Sequence, residues 1–189
     1  IHGQAVGRYA DAERFTCKRG HLKGHQDTLF MSPLPEKERE PDGFKGPRQN
    51  TPRVPTLQYY EDCLIEGDID FIFGGADVIF RNCEIRSLFR PALESDSDRP
   101  VRRTLSGVPV QGFVCAPCTS KGSHGFEFID CRFTTDSCPD GSVYLARPWR
   151  PYGKAYFKNC IFGKHIAPER FAGWDDPLQV EPTADFRIL

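Results

Sequence analysis

A chain of 189 residues with a formal net charge of −1 is long enough to bury a sizeable core, and it gives no electrostatic reason to expect nucleic acid. No apolar run approaches the ~20 residues of a membrane span. Sixteen prolines, seventeen glycines and fifteen phenylalanines against a single methionine argue against a helical bundle and for a β-rich, turn-rich chain.

The first residues, Ile1-His2-Gly3-Gln4, carry neither an initiator Met nor a signal sequence, so part of the native chain is expected to precede them. The cysteines then define the organisation. Arg14-Phe15-Thr16-Cys17, Tyr60-Glu61-Asp62-Cys63-Leu64-Ile65, Phe80-Arg81-Asn82-Cys83-Glu84-Ile85, Phe128-Ile129-Asp130-Cys131-Arg132-Phe133 and Phe157-Lys158-Asn159-Cys160-Ile161-Phe162 share one pattern. An aromatic, the Cys and the next apolar residue alternate with polar residues, which is strand periodicity with one buried face. A second short strand precedes most of these at a constant offset (4 to 17, 70 to 83, 147 to 160). Between Asp27 and Cys63 the spacing is longer, because a Pro-rich insertion of about 32–56 interrupts it.

A two-strand unit repeated at least five times predicts an all-β solenoid, a right-handed parallel β-helix occupying 1–189 as one partial domain. Stacked equivalents would lie ~4.8 Å apart, and an inward ladder of thiols follows. Cys115 and Cys118 form a C-x-x-C with Cys138 nearby. A zinc site and a disulfide stay open there, with free thiols favoured. Arg48/Arg53 and Arg99/Arg102/Arg103 read as solvated loop charges, and His21, His124 and His165 as loop or surface residues.

The same offsets bring five segments onto one sheet: Gln4-Ala5-Val6, Gln26-Asp27-Thr28-Leu29, Asp70 to Gly74, Val114-Cys115-Ala116, and Tyr144 to Trp149. Asp27 and Asp70 would then face each other one coil apart, at ~5 Å. Two such carboxyls separate in pKa, one fit to attack and the other to carry a proton. Arg147, two coils beyond Asp70, is placed to hold it as a carboxylate, which leaves Asp27 the proton carrier. Gln4 and Gln26 offer neutral amide donors for an oxyanion. Trp149, with Phe71 and Phe73, offers flat apolar faces for a sugar ring. His25 beside Gln26 invites a nucleophile–His reading. Strand alternation turns it to the other face, with no nucleophile one coil away.

At Gln4-Ala5-Val6, Gln26-Asp27-Thr28-Leu29, Gly67-Asp68-Ile69-Asp70-Phe71-Ile72-Phe73-Gly74 and Tyr144-Leu145-Ala146-Arg147-Pro148-Trp149 the sequence resembles the pectin methylesterases, from about Ile1 to Trp174. The long insertion and Gly112 to Pro117 look more like bacterial members than plant ones, and Ala146 stands where the family usually has Gly. The resemblance implies hydrolysis of galacturonate methyl esters in pectin, releasing methanol. Asp70 would be the nucleophile, Asp27 the general acid/base, Gln4 and Gln26 the oxyanion hole, Arg147 the residue positioning Asp70, and Trp149 the sugar platform. It implies no metal or cofactor, pectin as the partner, and a monomer with no membrane or nucleic-acid role. The family favours secretion or the cell surface, whereas free cysteines suit a reducing cytosol. Two alternatives are carried: a glycosidase on the same architecture, whose inverting form needs carboxylates ~6.5–9.5 Å apart, and an inactive β-helix that only binds polysaccharide.

Overall fold

The structure, a computed structural model, describes residues 6–39, 41–44, 49–90 and 101–189. Among the described residues sixteen strands lie in three sheets, and each pairs in parallel with its counterparts in adjacent coils, which makes a parallel β-helix. The first sheet stacks β1 (Arg8–Ala10), β4 (Leu29–Met31), β7 (Ile69–Gly74), β10 (Gly112–Pro117) and β13 (Val143–Ala146). The second stacks β2 (Arg14–Lys18), β5 (Leu57–Glu61), β8 (Asp77–Arg81), β11 (Phe126–Ile129), β14 (Lys154–Lys158) and β16 (Asp185–Ile188). The third stacks β3 (His21–Lys23), β6 (Leu64–Gly67), β9 (Glu84–Ser87), β12 (Arg132–Thr135) and β15 (Ile161–Phe162).

Each coil therefore has three strands, where the spacing alone predicts two. The aromatic of the repeat ends a strand of the second sheet, and the residues after the Cys form a strand of the third. Between them stands a residue in the left-handed region: Asp62, Asn82, Asp130 and Asn159, with φ of 54°, 50°, 55° and 51°. Asp and Asn tolerate that conformation better than other non-glycine residues, so the polar residue before each Cys is what turns the corner.

The ladders behind this corner are the core. Tyr60, Phe80, Phe128 and Phe157 stack in consecutive coils at 5.1, 4.7 and 4.9 Å between ring centroids, with interplanar angles of 19°, 9° and 3°. Burying such rings contributes roughly 1.5–3 kcal/mol apiece. Beside them the thiols face the carbonyls of the preceding coil: Cys83 donates to Tyr60 O at 3.5 Å, Cys131 to Phe80 O at 3.4 Å and Cys160 to Phe128 O at 3.4 Å. All eight cysteines are free thiols.

Cys17 departs from the pattern. It pairs with Tyr60, three residues earlier in the coil than Cys63. Gly20 occupies the thiol position of the first coil, and Cys17 Sγ fills the space that a Gly20 Cβ would need. His165 also departs from expectation. It is buried, with neither ring nitrogen hydrogen-bonded, and burial pulls its pKa down to about 4.

Candidate active site

Two coils repeat a motif at the entry to the first sheet. The strand register aligns Gly24-His25-Gln26-Asp27-Thr28-Leu29 with Gly67-Asp68-Ile69-Asp70-Phe71-Ile72. Asp27 N donates to Ile69 O at 3.0 Å, so the two aspartates sit at the same level of adjacent coils. Both adopt left-handed backbone, with φ of 64° for Asp27 and 49° for Asp70. The next coil adds a register shift there, since Phe113 and Cys115 pair with Ile69 and Ile72. Such a bulge re-aims a side chain at a functional edge.

The left-handed residue breaks strand alternation. Thr28 and Leu29, and likewise Phe71 and Ile72, are buried in succession with no exposure. Gly24 and Gly67 lack the Cβ that would collide with Thr28 and Phe71. Phe71, expected to face a sugar, is thus a member of the main core and unavailable to a ligand. Phe73 is half-buried instead and belongs to a row of aromatic rings. Tyr9 meets Phe30 at 4.5 Å, Phe30 meets Phe73 at 5.1 Å, and Phe73 meets Trp149 edge-on at 5.7 Å.

Arg147 and Asp70 are buried together. Arg147 Nε donates to Asp70 Oδ1 at 2.8 Å and its Nη2 to Oδ2 at 2.5 Å. That bidentate fork fixes the orientation of the carboxylate as well as its distance. The rings of Phe113 and Trp174 flank the guanidinium, with centroids 3.9 and 4.2 Å from Cζ. Trp174 lies on an irregular segment with no periodicity, so spacing offered no signal for it; only its place at the end of the resembling region hinted at a role.

Asp27 has the opposite character. Burial pushes its carboxyl up to about 7, the charge of Asp70 adds to the rise, Arg147 opposes it and Asp68 contributes further. At neutral pH one member of the acidic pair therefore holds a proton for a substantial part of the time. Asp68 is engaged elsewhere: its Oδ2 pairs with His25 Nδ1 at 3.0 Å and its Oδ1 accepts from Ile69 N at 2.6 Å. His25 is thus tied to an acid of the next coil. Gln26 is half-buried beside Asp27. Gln4 lies outside the described residues.

Cys115, Cys118 and Cys138 do not gather. Cys115 donates to Leu145 O at 3.2 Å, while Cys118 faces Pro33 O and Cys138 faces Ser87 O. Among the described residues no three His, Cys, Asp or Glu side chains form a metal-ligand set.

The long connection between Met31 and Leu57 crosses to this face. Phe44 packs edge-on to Trp149 at 6.3 Å, Lys37 O accepts from Arg150 Nη2 at 2.7 Å, and Arg39 lies over Trp174 and pairs with Asp175 at 3.2 Å.

Known proteins resemble the chain in family and fold. The pectinesterase family model matches residues 53–183. "Probable pectinesterase 8" of Arabidopsis thaliana is 29% identical over 135 residues, covering 71% of this chain and 31% of the relative. "Pectin methylesterase PemA from Erwinia chrysanthemi" superposes with a TM-score of 0.58 at 23% identity, over 92% of this chain and 53% of that one. "Crystal structure of pectin methylesterase in complex with hexasaccharide VII" superposes with a TM-score of 0.57 at 22% identity, over 91% and 52%. The chain spans about a third of that Arabidopsis relative and about half of those solved structures. With 131 of its residues (53 to 183) inside the family match, the chain belongs to the pectinesterase family.

Proposed function

We propose that this chain carries the catalytic face of a pectin methylesterase and hydrolyses the C6 methyl ester of galacturonate units through an acyl-enzyme on Asp70. The observation that carries this reading is the unequal acidic pair: Asp70 clasped by Arg147, and Asp27 one coil away with its carboxyl raised to about 7. Attack by Asp70 on the ester carbonyl forms a tetrahedral oxyanion, for which the Gln26 amide, and that of Gln4, are the candidate donors. As the intermediate collapses, the proton on Asp27 leaves with methanol. The resulting Asp27 carboxylate takes a proton from water, which attacks the acyl group and frees Asp70. Arg147 keeps the nucleophile aligned, and Trp149 and Phe73 supply the apolar surface for the sugar ring. The hexasaccharide held by the similar pectin methylesterase supports an oligosaccharide as ligand.

The test is an assay of methylated galacturonan for two products. Methanol release without new reducing ends is the expected outcome. Reducing ends without methanol would favour glycosidic cleavage, and neither product would favour a binding role.

A further inference from the structure

The two corners that carry the acidic pair stack a second pair of titratable side chains. In the register that aligns Asp27 with Asp70, His25 of one coil lies against Asp68 of the next. His25 Nδ1 meets Asp68 Oδ2 at 3.0 Å, with 56% of the His25 side chain exposed and only 3% of that of Asp68. Asp68 is held by both adjacent coils. Its N donates to His25 O at 3.2 Å, its Oδ1 accepts from Ile69 N at 2.6 Å and its O accepts from Phe113 N at 3.1 Å. Gly112 stacks over it so closely that a Cβ would meet Asp68 O at 2.2 Å. The corner of the earlier coil is tied more loosely. Asp27 N donates to Ile69 O at 3.0 Å, and Thr28 Oγ1 reaches His25 O at 3.1 Å and Glu66 O at 3.0 Å. Yet this corner must keep Asp27 in left-handed backbone, with φ of 64°, a conformation that persists only where the surroundings impose it.

We infer that His25 and Asp68 are a positioning pair for the reaction at Asp70: their contact clamps the corner bearing Gln26 and Asp27 onto the corner bearing Asp70, and so fixes the gap in which nucleophile, ester carbonyl and proton carrier meet. This rests on the esterase reading above. Both residues act through Asp27 and the Gln26 amide. Alignment of that kind matters because a shift of about 1 Å at a reacting group can cost on the order of 10²-fold in rate. The pair also carries charge. The charged groups that act on Asp27 are Asp70, Arg147 and Asp68, and Asp68 acts on the Cys138 thiol as well. Asp68 thus places negative charge beside the proton carrier, and His25 is the side chain that meets it. The stack sets base against acid two residues before it sets acid against acid.

Three variants of the full chain test this, assayed on methylated galacturonan and, without substrate, by amide exchange and carboxyl NMR. His25→Ala removes the clamp and should lower kcat roughly tenfold while KM stays within about twofold, since alignment and not substrate contact is lost. The Asp27 amide, whose partner lies across the clamp, should exchange roughly tenfold faster. His25→Asn puts an amide N–H near the place of Nδ1 and should restore most of both losses. Asp68→Asn keeps an acceptor for Ile69 N but removes the charge. The Asp27 carboxyl should then fall, by less than in Asp70→Asn, and the decline of kcat/KM should begin at lower pH. An unchanged kcat in His25→Ala, an equal loss in His25→Asn, or an Asp27 carboxyl unmoved in Asp68→Asn overturns the pair. Should His25→Ala fail to fold, the Asp27 carboxyl in Asp68→Asn decides alone. If the exchange and carboxyl changes appear but the unsubstituted protein releases no methanol, the esterase reading fails and the clamp stands. If methanol is released and the variants leave kcat, exchange and carboxyl as they were, the esterase reading stands and the clamp falls.

Discussion

Two regions of this β-helix use the same backbone device and reach opposite electrostatic ends. At the corner between the second and third sheets, left-handed Asp and Asn alternate from coil to coil. Asn82 Nδ2 donates to Asp62 Oδ1 at 2.6 Å, and Asn159 Nδ2 to Asp130 Oδ1 at 3.4 Å. Each carboxylate has an amide beside it. At the entry to the first sheet the two left-handed residues are both Asp, in register and largely shielded from water. Stacking multiplies whatever it is given. Where donor follows acceptor, it relaxes the coil. Where acid follows acid, one partner must keep a proton and the other needs a cation, here brought from two coils away by Arg147. The lesson is that a repeat fold makes a reactive pair by omitting, at one level, the alternation it uses elsewhere.

That contrast can be broken most severely by imposing the corner's solution on the active face. Asp70→Asn replaces the acidic pair with an Asp–Asn pair. Methanol release should fall by on the order of 10³-fold or more, as for loss of a nucleophile. The Asp27 carboxyl should drop below its present value of about 7, without returning to 3.8, because burial is the first cause of its rise and persists. Carboxyl NMR reads the second effect. In the unsubstituted protein, kcat/KM should decline as pH rises through about 7, where Asp27 loses the proton that the departing methanol needs. A flat profile across that range would remove Asp27 from its role. The sign for folding is the same: a carboxyl raised in the folded state adds stability below its unfolded value, and that contribution is lost as pH climbs toward about 7.

The relaxed region should fail through packing rather than chemistry. Phe128 contacts Phe80, Phe133 and Phe157 at 4.7, 5.6 and 4.9 Å. Phe128→Ala is expected to cost about 3–5 kcal/mol in denaturant unfolding. His165 probes burial without compensation. Its folded pKa is depressed to about 4, so the stability present above its unfolded value of 6.5 is lost as pH falls from there through about 4. The loss should approach on the order of 3 kcal/mol, and His165→Gln should flatten that limb of a melting-temperature profile. The smallest effect is expected at Asn82→Asp, which copies the acid-on-acid arrangement onto the exposed corner. It should cost about 0.5 kcal/mol or less, diminishing with salt. A loss of several kcal/mol there would mean that the amide alternation carries far more than local relief.

Much of this was legible in the sequence because it is periodic. The Cys-centred pattern reports a buried face, and the constant offset, once the insertion after Asp27 is allowed for, brings Asp27, Asp70 and Arg147 to one side of the stack. The strand count was hidden because a left-handed corner residue leaves the polar–apolar alternation intact while turning the chain. Cys17 misled because a cysteine three residues early and a glycine at the thiol position together fill the same volume. Phe71 looked outward because two aromatics beside an acid suit a sugar, although alternation from an outward Asp70 already turns it into the core. Gly67, four residues earlier and matched by Gly24 before Thr28, was a further sign of an inward ring. Trp174, Arg39 and Arg150 sit on segments without a period, where only three-dimensional contact assembles them.

The contact between Arg39 and Asp175 joins residues 136 positions apart in a molecule whose described strands hydrogen-bond as ladders only to their neighbours in the stack. A linear stack can come apart one end at a time, each rung answering to the next. A tether reaching past intervening rungs closes that line into a loop, so fraying at either end is felt at the other. Amide exchange in β10 and β13 would then slow or quicken together with exchange around residue 39, linking the rigidity of the cleft floor to a segment that contributes nothing to the sheets.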